Sequence, residues 1–150
     1  AINAVQRCKY HPDGVRSNSG VRGEWGEFEQ YRDYIRHFND NVLVCPMIET
    51  TEAVASIDEI LSVPGIDVLL VGPSDLSITH DMPTEYTNPK YIAVLERITA
   101  TCRKHGVAAG IYFAPPGLEP ARLQEIGFSF IGVPWVGWAR KGIKNGLSAL

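Results

Sequence analysis

Two acids carry the pattern in this sequence most able to do chemistry. Glu49 follows the apolar run Val42-Leu43-Val44-Cys45-Pro46-Met47-Ile48. Asp75 follows Ile66-Asp67-Val68-Leu69-Leu70-Val71 through Gly72-Pro73-Ser74. If both runs are strands of one parallel sheet, their carboxyl ends share an edge, and neighbouring strands bring the two carboxylates together. Two carboxylates at one point repel unless a proton or a cation lies between them. An oxygen-only donor set, without His or Cys, suits Mg²⁺ or Mn²⁺ with waters completing an octahedron. Both acids also have ordinary structural roles open to them. Glu49 can sit at the first turn of the next helix, and Asp75 can close an Asx-turn.

Gly72-Pro73-Ser74-Asp75-Leu76-Ser77 is not a phosphate-binding glycine loop, because it has one glycine, no lysine and a proline that removes an N–H. It can still present the Ser74 and Asp75 N–H groups to a small carboxylate, or serve only as a tight strand-to-loop turn. His11, His37, His80 and His105 show no metal-ligand spacing. His37 and His105 fall near expected helix ends and are expected to be solvated. His80, five residues past Asp75, reads as a lone loop histidine. No G-x-S-x-G occurs, and no cysteine adjoins a histidine in a reactive setting. Trp135 and Trp138 follow the last apolar run, where they line a pocket mouth or cover apolar surface; cover is the expected role.

These residues need a scaffold, and the sequence outlines one. Ala1–Cys8 has Ile2, Val5 and Cys8 at helical spacing and reads as the tail of a helix, so the chain is expected to be a fragment that begins in mid-helix. Lys9 to Trp25 is a long connection. Glu27 to Phe38 reads as a helix that Asn39-Asp40-Asn41 breaks. A repeating unit follows: a strand over 42–48, then a helix capped by Thr50 or Thr51 and carrying Ala53, Val54, Ile57, Ile60 and Leu61, which Pro64-Gly65 ends. After a strand at 66–71, Asn88-Pro89 opens a longer helix that Gly106 closes. Val107–Phe113 is a third strand, Pro120–Ile126 a short helix, Phe128–Val133 a fourth strand, and Ala139–Leu150 a last helix. Strands alternating with helices imply a parallel α/β sheet. A small doubly wound sheet and half of an eight-stranded barrel both fit. In a half barrel, Val44, Leu69 and Ile111 are expected on the incompletely covered inner face.

Composition limits the choice of function. The chain has 150 residues, 45% hydrophobic and 21% charged, with a net charge of −3. That is ordinary globular composition and excludes a disordered chain. There is no surplus of cations for gripping nucleic acid by its phosphates, and no apolar run long enough for a membrane-spanning helix. Neither a nucleic-acid partner nor a membrane is expected. Cys8, Cys45 and Cys102 are odd in number and widely spaced. They read as small buried hydrophobes in a reducing, cytoplasmic setting rather than as disulfides or zinc ligands.

Met47-Ile48-Glu49-Thr50, Ile60 to Asp67 and Val71-Gly72-Pro73-Ser74-Asp75-Leu76-Ser77 together closely resemble the HpcH/HpaI family of metal-dependent (class II) pyruvate aldolases. Arg7-Cys8-Lys9-Tyr10-His11-Pro12-Asp13-Gly14-Val15-Arg16 resembles that family's R-x-x-Y-P-P-x-G-x-R segment, with His11 in place of the first proline. Gly110-Ile111 and Gly127 to Ile131 match its last two strands. The resemblance covers nearly all of the chain. It implies a (β/α)₈ TIM barrel of the phosphoenolpyruvate/pyruvate type, with residues 1–150 forming one partial domain that holds strands five to eight. It also implies a divalent ion on Glu49 and Asp75: Mg²⁺ or Mn²⁺, with Co²⁺ a third candidate. The substrate is expected at Gly72, Pro73, Ser74 and Asp75, whose turn offers N–H groups to a carboxylate, with Met47 and Tyr112 at its borders. The implied reaction is cleavage of a 4-hydroxy-2-oxoacid to pyruvate and an aldehyde by a homo-oligomer. The family's catalytic His and Arg lie in the first half of the barrel, so no catalytic residue is assigned in this chain.

Several departures from the family pattern bear on specificity. Met47 stands where the family often has Gln, Tyr112 where a smaller aliphatic residue is common, and Val133-Pro134-Trp135-Val136-Gly137 replaces the usual G-V-D-x-x. Rival readings are a citrate-lyase-like or malyl-CoA-type lyase, and a non-catalytic α/β binding fragment.

Overall fold

The computed structural model describes residues 1–18, 20, 25–133 and 135–148. In chain order the elements are α1 (Ile2–Cys8), α2 (Tyr31–Asn41), β1 (Met47–Ile48), α3 (Thr51–Ala55), α4 (Ile57–Leu61), β2 (Val68–Val71), α5 (Pro73–Thr79), α6 (Pro89–His105), β3 (Ala108–Ile111), α7 (Pro120–Ile126), β4 (Phe130–Ile131) and α8 (Trp135–Leu147). The four strands are parallel and lie in sequence order. A doubly wound sheet needs a point where strand order reverses, and this sheet has none among the described residues. The half-barrel alternative stands.

The register fixes which side chains share a face. Ile48, Val71, Ile111 and Ile131 are in line across the strands, as are Met47, Leu70, Gly110 and Phe130. The first row packs with the helices: Ile48, Val71 and Ile111 join Leu69, Tyr91, Leu95, Ile98 and Leu123 in the main core. The second row is open, with Met47 and Phe130 both more than two-fifths exposed. The inner-face expectation for Val44, Leu69 and Ile111 is therefore corrected, since all three are buried. Strands apolar on both faces carry no alternation from which parity can be read.

The longest helix shows the clearest local signals. The Asn88 side chain accepts from the Lys90 N–H, Pro89 takes the first helical position, and Gly106 ends α6 in the left-handed region at φ 70°. The Thr99 hydroxyl, buried, donates to the Ile126 carbonyl at 2.7 Å and ties α6 to the end of α7. At the surface, Lys104 Nζ and His105 Nε2 each lie 2.8 Å from Asp58 Oδ1, latching α6 to α4. Hydrogen bonds from Lys104 and His105 hold the Asp58 carboxyl below its ordinary range.

Other boundaries differ from expectation. Residues 27–30 precede α2, which begins at Tyr31 and runs through Asn39-Asp40-Asn41 to Asn41. Asn39 does not break the helix because its side chain is buried and bonded: Oδ1 accepts from the Tyr10 N–H at 2.8 Å, and Nδ2 donates to the Tyr10 carbonyl at 2.9 Å. Tyr10, Tyr34 and Phe38 form a second, smaller core around it, joined by Trp25 and Phe28. His37 is not solvated but half-buried against the Trp25 and Phe28 rings, and His105 is held by Asp58. The helix after Thr50 is two short helices meeting at Ser56. Regular strand is shorter than each apolar run. Cys102 is fully buried, which pushes its thiol up to about 11; Cys8 and Cys45 are half-buried rather than buried.

The last helix begins at Trp135, four residues before the expected start, and every described residue from 135 to 148 is exposed. Trp135 and Trp138 are both largely exposed, and Trp135 borders an inner-face cavity beside Leu70 and Phe130. Pro134, Ala149 and Leu150 lie outside the described residues, as do Ser19 and residues 21–24 of the long connection.

Candidate metal centre

The two acids reach the sheet edge by different routes. The Gly72 N–H donates to the Ile48 carbonyl at 3.0 Å, continuing the β1–β2 ladder one step beyond the strands. That step sets Gly72 beside Glu49. The Glu49 carboxylate then leans over Gly72: Oε2 lies 2.7 Å from the position a Cβ on Gly72 would take, and Met47 Sδ 3.1 Å from it. The cap of α3 is Thr50, whose Oγ1 accepts from the Ala53 N–H at 3.1 Å, so Glu49 is not needed for that role.

Asp75 lies in the first turn of a helix, α5, rather than in a simple strand-to-loop turn. Pro73 occupies the first helical position, where its missing N–H costs no hydrogen bond, and an acid in the first turn complements the helix dipole. Ser74 and Asp75 are exposed, whereas Gly72 and Pro73 are buried. The N–H groups of Ser74 and Asp75 belong to the first turn, where no earlier carbonyl of the helix can accept them.

Three residues to which the sequence assigned no role of their own brace this corner. The Thr79 hydroxyl is within 3.0 Å of the Glu49 carbonyl and 3.2 Å of the Leu76 carbonyl. Ser77, fully buried, donates to the Ser74 carbonyl and accepts from the Thr84 N–H. The Tyr91 hydroxyl reaches up from α6 to the Pro73 carbonyl at 3.1 Å, and burial pushes its ionisation above the ordinary tyrosine range. Ser77 and Thr79 at i+3 from a carbonyl partner hint at a short helix. Tyr91 carries no such local signal. Tyr91→Phe removes a buried hydrogen bond and leaves the Pro73 carbonyl without that donor, so it is expected to lower unfolding stability by about 1 kcal/mol. Urea melts of the two proteins measure this, and identical midpoints would show that the bond contributes nothing.

A hard divalent cation fits the donors present. Both are carboxylates, and the Glu49 carboxylate lies at the sheet edge over the space that a Cβ on Gly72 would fill. Among the described residues no group of three or more His, Cys, Asp and Glu side chains gathers to hold a metal. A cation here would rest on Glu49 and Asp75 and take its other oxygens from water or substrate. His80 follows α5 as its C-cap, is half-buried, and its Nε2 is buried without a hydrogen-bond partner.

Tyr112 follows β3 and is mostly exposed. It helps line a cavity of about 600 Å³ on the inner face with Cys45, Leu70, Phe130 and Trp135, while Met47 stays with Glu49 over Gly72. The structure thus brings Met47, Glu49 and Gly72 into one group, with Ser74 and Asp75 on the adjoining turn and Tyr112 on a separate wall.

The family model described as "HpcH/HpaI aldolase/citrate lyase" matches residues 1–133. A 4-hydroxy-2-oxo-heptane-1,7-dioate aldolase of Salmonella paratyphi B is 33% identical over 133 residues, which is 89% of this chain and 50% of that protein. The chain therefore spans about half the length of the curated relatives it matches. A crystal structure of an HpcH/HpaI aldolase/citrate lyase family protein from Burkholderia cenocepacia is similar with a TM-score of 0.76 and 28% identity, over 97% of this chain and 58% of that one. The crystal structure of an HpcH/HpaI aldolase from Desulfitobacterium hafniense has the same TM-score at 24% identity, covering 97% of this chain and 60% of that one, and shows the shared fold.

Proposed function

Since the chain belongs to the HpcH/HpaI aldolase/citrate lyase family, we propose that it carries the metal half-site of an enzyme that cleaves 4-hydroxy-2-oxoacids to pyruvate and an aldehyde. The observation that supports this most directly is the Glu49 carboxylate lying over Gly72 at the sheet edge, just past β1 and beside the helical turn that holds Asp75. In this reading Glu49 and Asp75 hold the ion, and the N–H groups of Ser74 and Asp75 receive the substrate carboxylate. Pro73 contributes by fixing the turn. The bound ion supplies Lewis-acid polarisation of the 2-oxo group.

Met47 presents a thioether beside Glu49 where an amide would offer a hydrogen bond, so the substrate loses one polar contact on that side. Tyr112 borders the aldehyde portion and narrows the choice of aldehyde. No group of this chain moves the proton; the acid–base His and the Arg are assigned to the preceding half of the barrel, within a cytoplasmic homo-oligomer. Among the described residues no helix is long and apolar enough to cross a membrane.

Release of pyruvate, followed through coupled oxidation of NADH by lactate dehydrogenase, tests the proposal. With Mg²⁺ or Mn²⁺, the protein containing both halves is expected to release pyruvate from 4-hydroxy-2-oxoheptane-1,7-dioate, and to stop on chelation. The 150-residue chain alone is expected to release almost none, because losing even one preorganised donor for the developing negative charge costs about 10²–10³ in rate. Turnover that survives chelation, or robust turnover by the 150 residues alone, would overturn this assignment of roles.

A further inference from the structure

Gly72 is not required by its own backbone. Its φ of −88° and ψ of 94° are open to any residue, unlike Gly106 and Gly127, which have positive φ. What demands a glycine here is space. A Cβ would stand 2.7 Å from Glu49 Oε2, 3.1 Å from Met47 Sδ and 3.2 Å from Glu49 Cβ. The first of these separations is too short for two atoms that are not bonded to each other. We propose that Gly72 is a positioning residue for Glu49: its missing side chain is the berth that keeps the Glu49 carboxylate over the entrance to α5, and so sets the ion affinity of the centre. This rests on the reading of Glu49 and Asp75 as ion ligands and adds what holds one of them in place.

The crowding predicts which part gives way when the berth is filled. The backbone of Gly72 is pinned on both sides, its N–H donating to the Ile48 carbonyl and its carbonyl accepting from the Leu76 N–H, each at 3.0 Å. The next residue is held by the Tyr91 hydroxyl. Glu49 Oε2, by contrast, is the far end of a flexible side chain. A methyl group on residue 72 therefore leaves the fold in place and turns the carboxylate away. Met47 Sδ at 3.1 Å and Glu49 Cβ at 3.2 Å crowd the same space, so the Glu49 carboxylate is the group that must move.

The test uses the protein containing both halves of the barrel and Mn²⁺ alone, with free ion measured by electron paramagnetic resonance and the fold by circular dichroism. Gly72→Ala is expected to keep the circular dichroism spectrum and to lose about 10–100-fold in Mn²⁺ affinity, the range typical of residues that orient a metal ligand. A second comparison separates positioning from general disturbance. Glu49→Asp withdraws the carboxylate by one methylene and so avoids an added methyl. It is expected to weaken Mn²⁺ binding in the unsubstituted chain and to cost several-fold less in the Gly72→Ala background. Equal costs in the two backgrounds would refute coupling between residues 49 and 72. If Gly72→Ala binds Mn²⁺ as the unsubstituted chain does while Glu49→Gln loses it, the positioning role is wrong and the metal centre stands. If Glu49→Gln makes no difference, the metal centre itself is wrong, and the role of Gly72 falls with it.

Discussion

Asp75→Ala is expected to reduce ion-dependent pyruvate release by the protein containing both halves of the barrel by about 10²–10³, the scale of losing one electrostatic stabiliser of a developing oxyanion. The residue is exposed and lies in the first turn of α5, so its loss removes no packing. Its structural cost is limited to the dipole interaction of an acid at a helix start, about 0.3–1 kcal/mol. The rate effect must then come through the ion. The concentration of Mg²⁺ or Mn²⁺ needed for half-maximal activity is expected to rise along with the fall in kcat. Asp75→Asn keeps one oxygen and the shape but not the charge, and is expected to fall between the two. Activity of Asp75→Ala within a few-fold of the unsubstituted enzyme would remove Asp75 from the centre.

The largest loss of stability outside the main core is expected at Asn39. Replacing it by Leu keeps the volume but removes the acceptor of the Tyr10 N–H at 2.8 Å, at a site where Asn39 is 3% exposed, while the Tyr10 carbonyl loses the Asn39 donor at 2.9 Å and keeps the Asp13 and Gly14 N–H groups at 3.0 Å. At about 1–3 kcal/mol for losing buried hydrogen bonds of this kind, the expected loss is about 1–3 kcal/mol. Asn39→Asp provides a pH signature. The amide nitrogen also donates to Asp13 Oδ2 at 2.9 Å, so a carboxylate at residue 39 would face another carboxylate. Like charges favour protonation, which raises the folded-state pKa of the pair above the unfolded value. The penalty is then full at neutral pH and shrinks as pH falls through that raised value. Urea denaturation at pH 7 and pH 4 is expected to show Asn39→Asp closer to the unsubstituted chain at the lower pH. A penalty independent of pH would show that Asp13 does not feel the new charge.

Much of this protein was readable without coordinates, for reasons that are local. Asn88-Pro89 and Gly106 bracket α6 because a side-chain acceptor, a residue without an N–H and a residue free to take positive φ each act on their own neighbours. Apolar runs separated by helices required a parallel α/β sheet, and that topology put Glu49 and the Gly72–Asp75 turn at one edge. The motif pair ending in Glu49 and Asp75 then pointed to the family, whose model matches residues 1–133.

Tertiary structure decided what depends on partners far along the chain. Leu69 and Ile111 face the helices and Met47, Leu70 and Phe130 the open side, a parity that runs apolar on both faces cannot encode and only register with the neighbouring strands settles. Asn39 looks like a helix breaker until Tyr10, 29 residues earlier, supplies a backbone for it to bond. Pro73 looks like a turn until the ladder bond from Gly72 and the hydroxyl of Tyr91, 18 residues later, set it at the start of a helix. The glycine at 72 has no cause within its own segment: its φ and ψ suit any residue, and only the Glu49 side chain, brought over it by the pairing of β1 with β2, excludes a methyl group there.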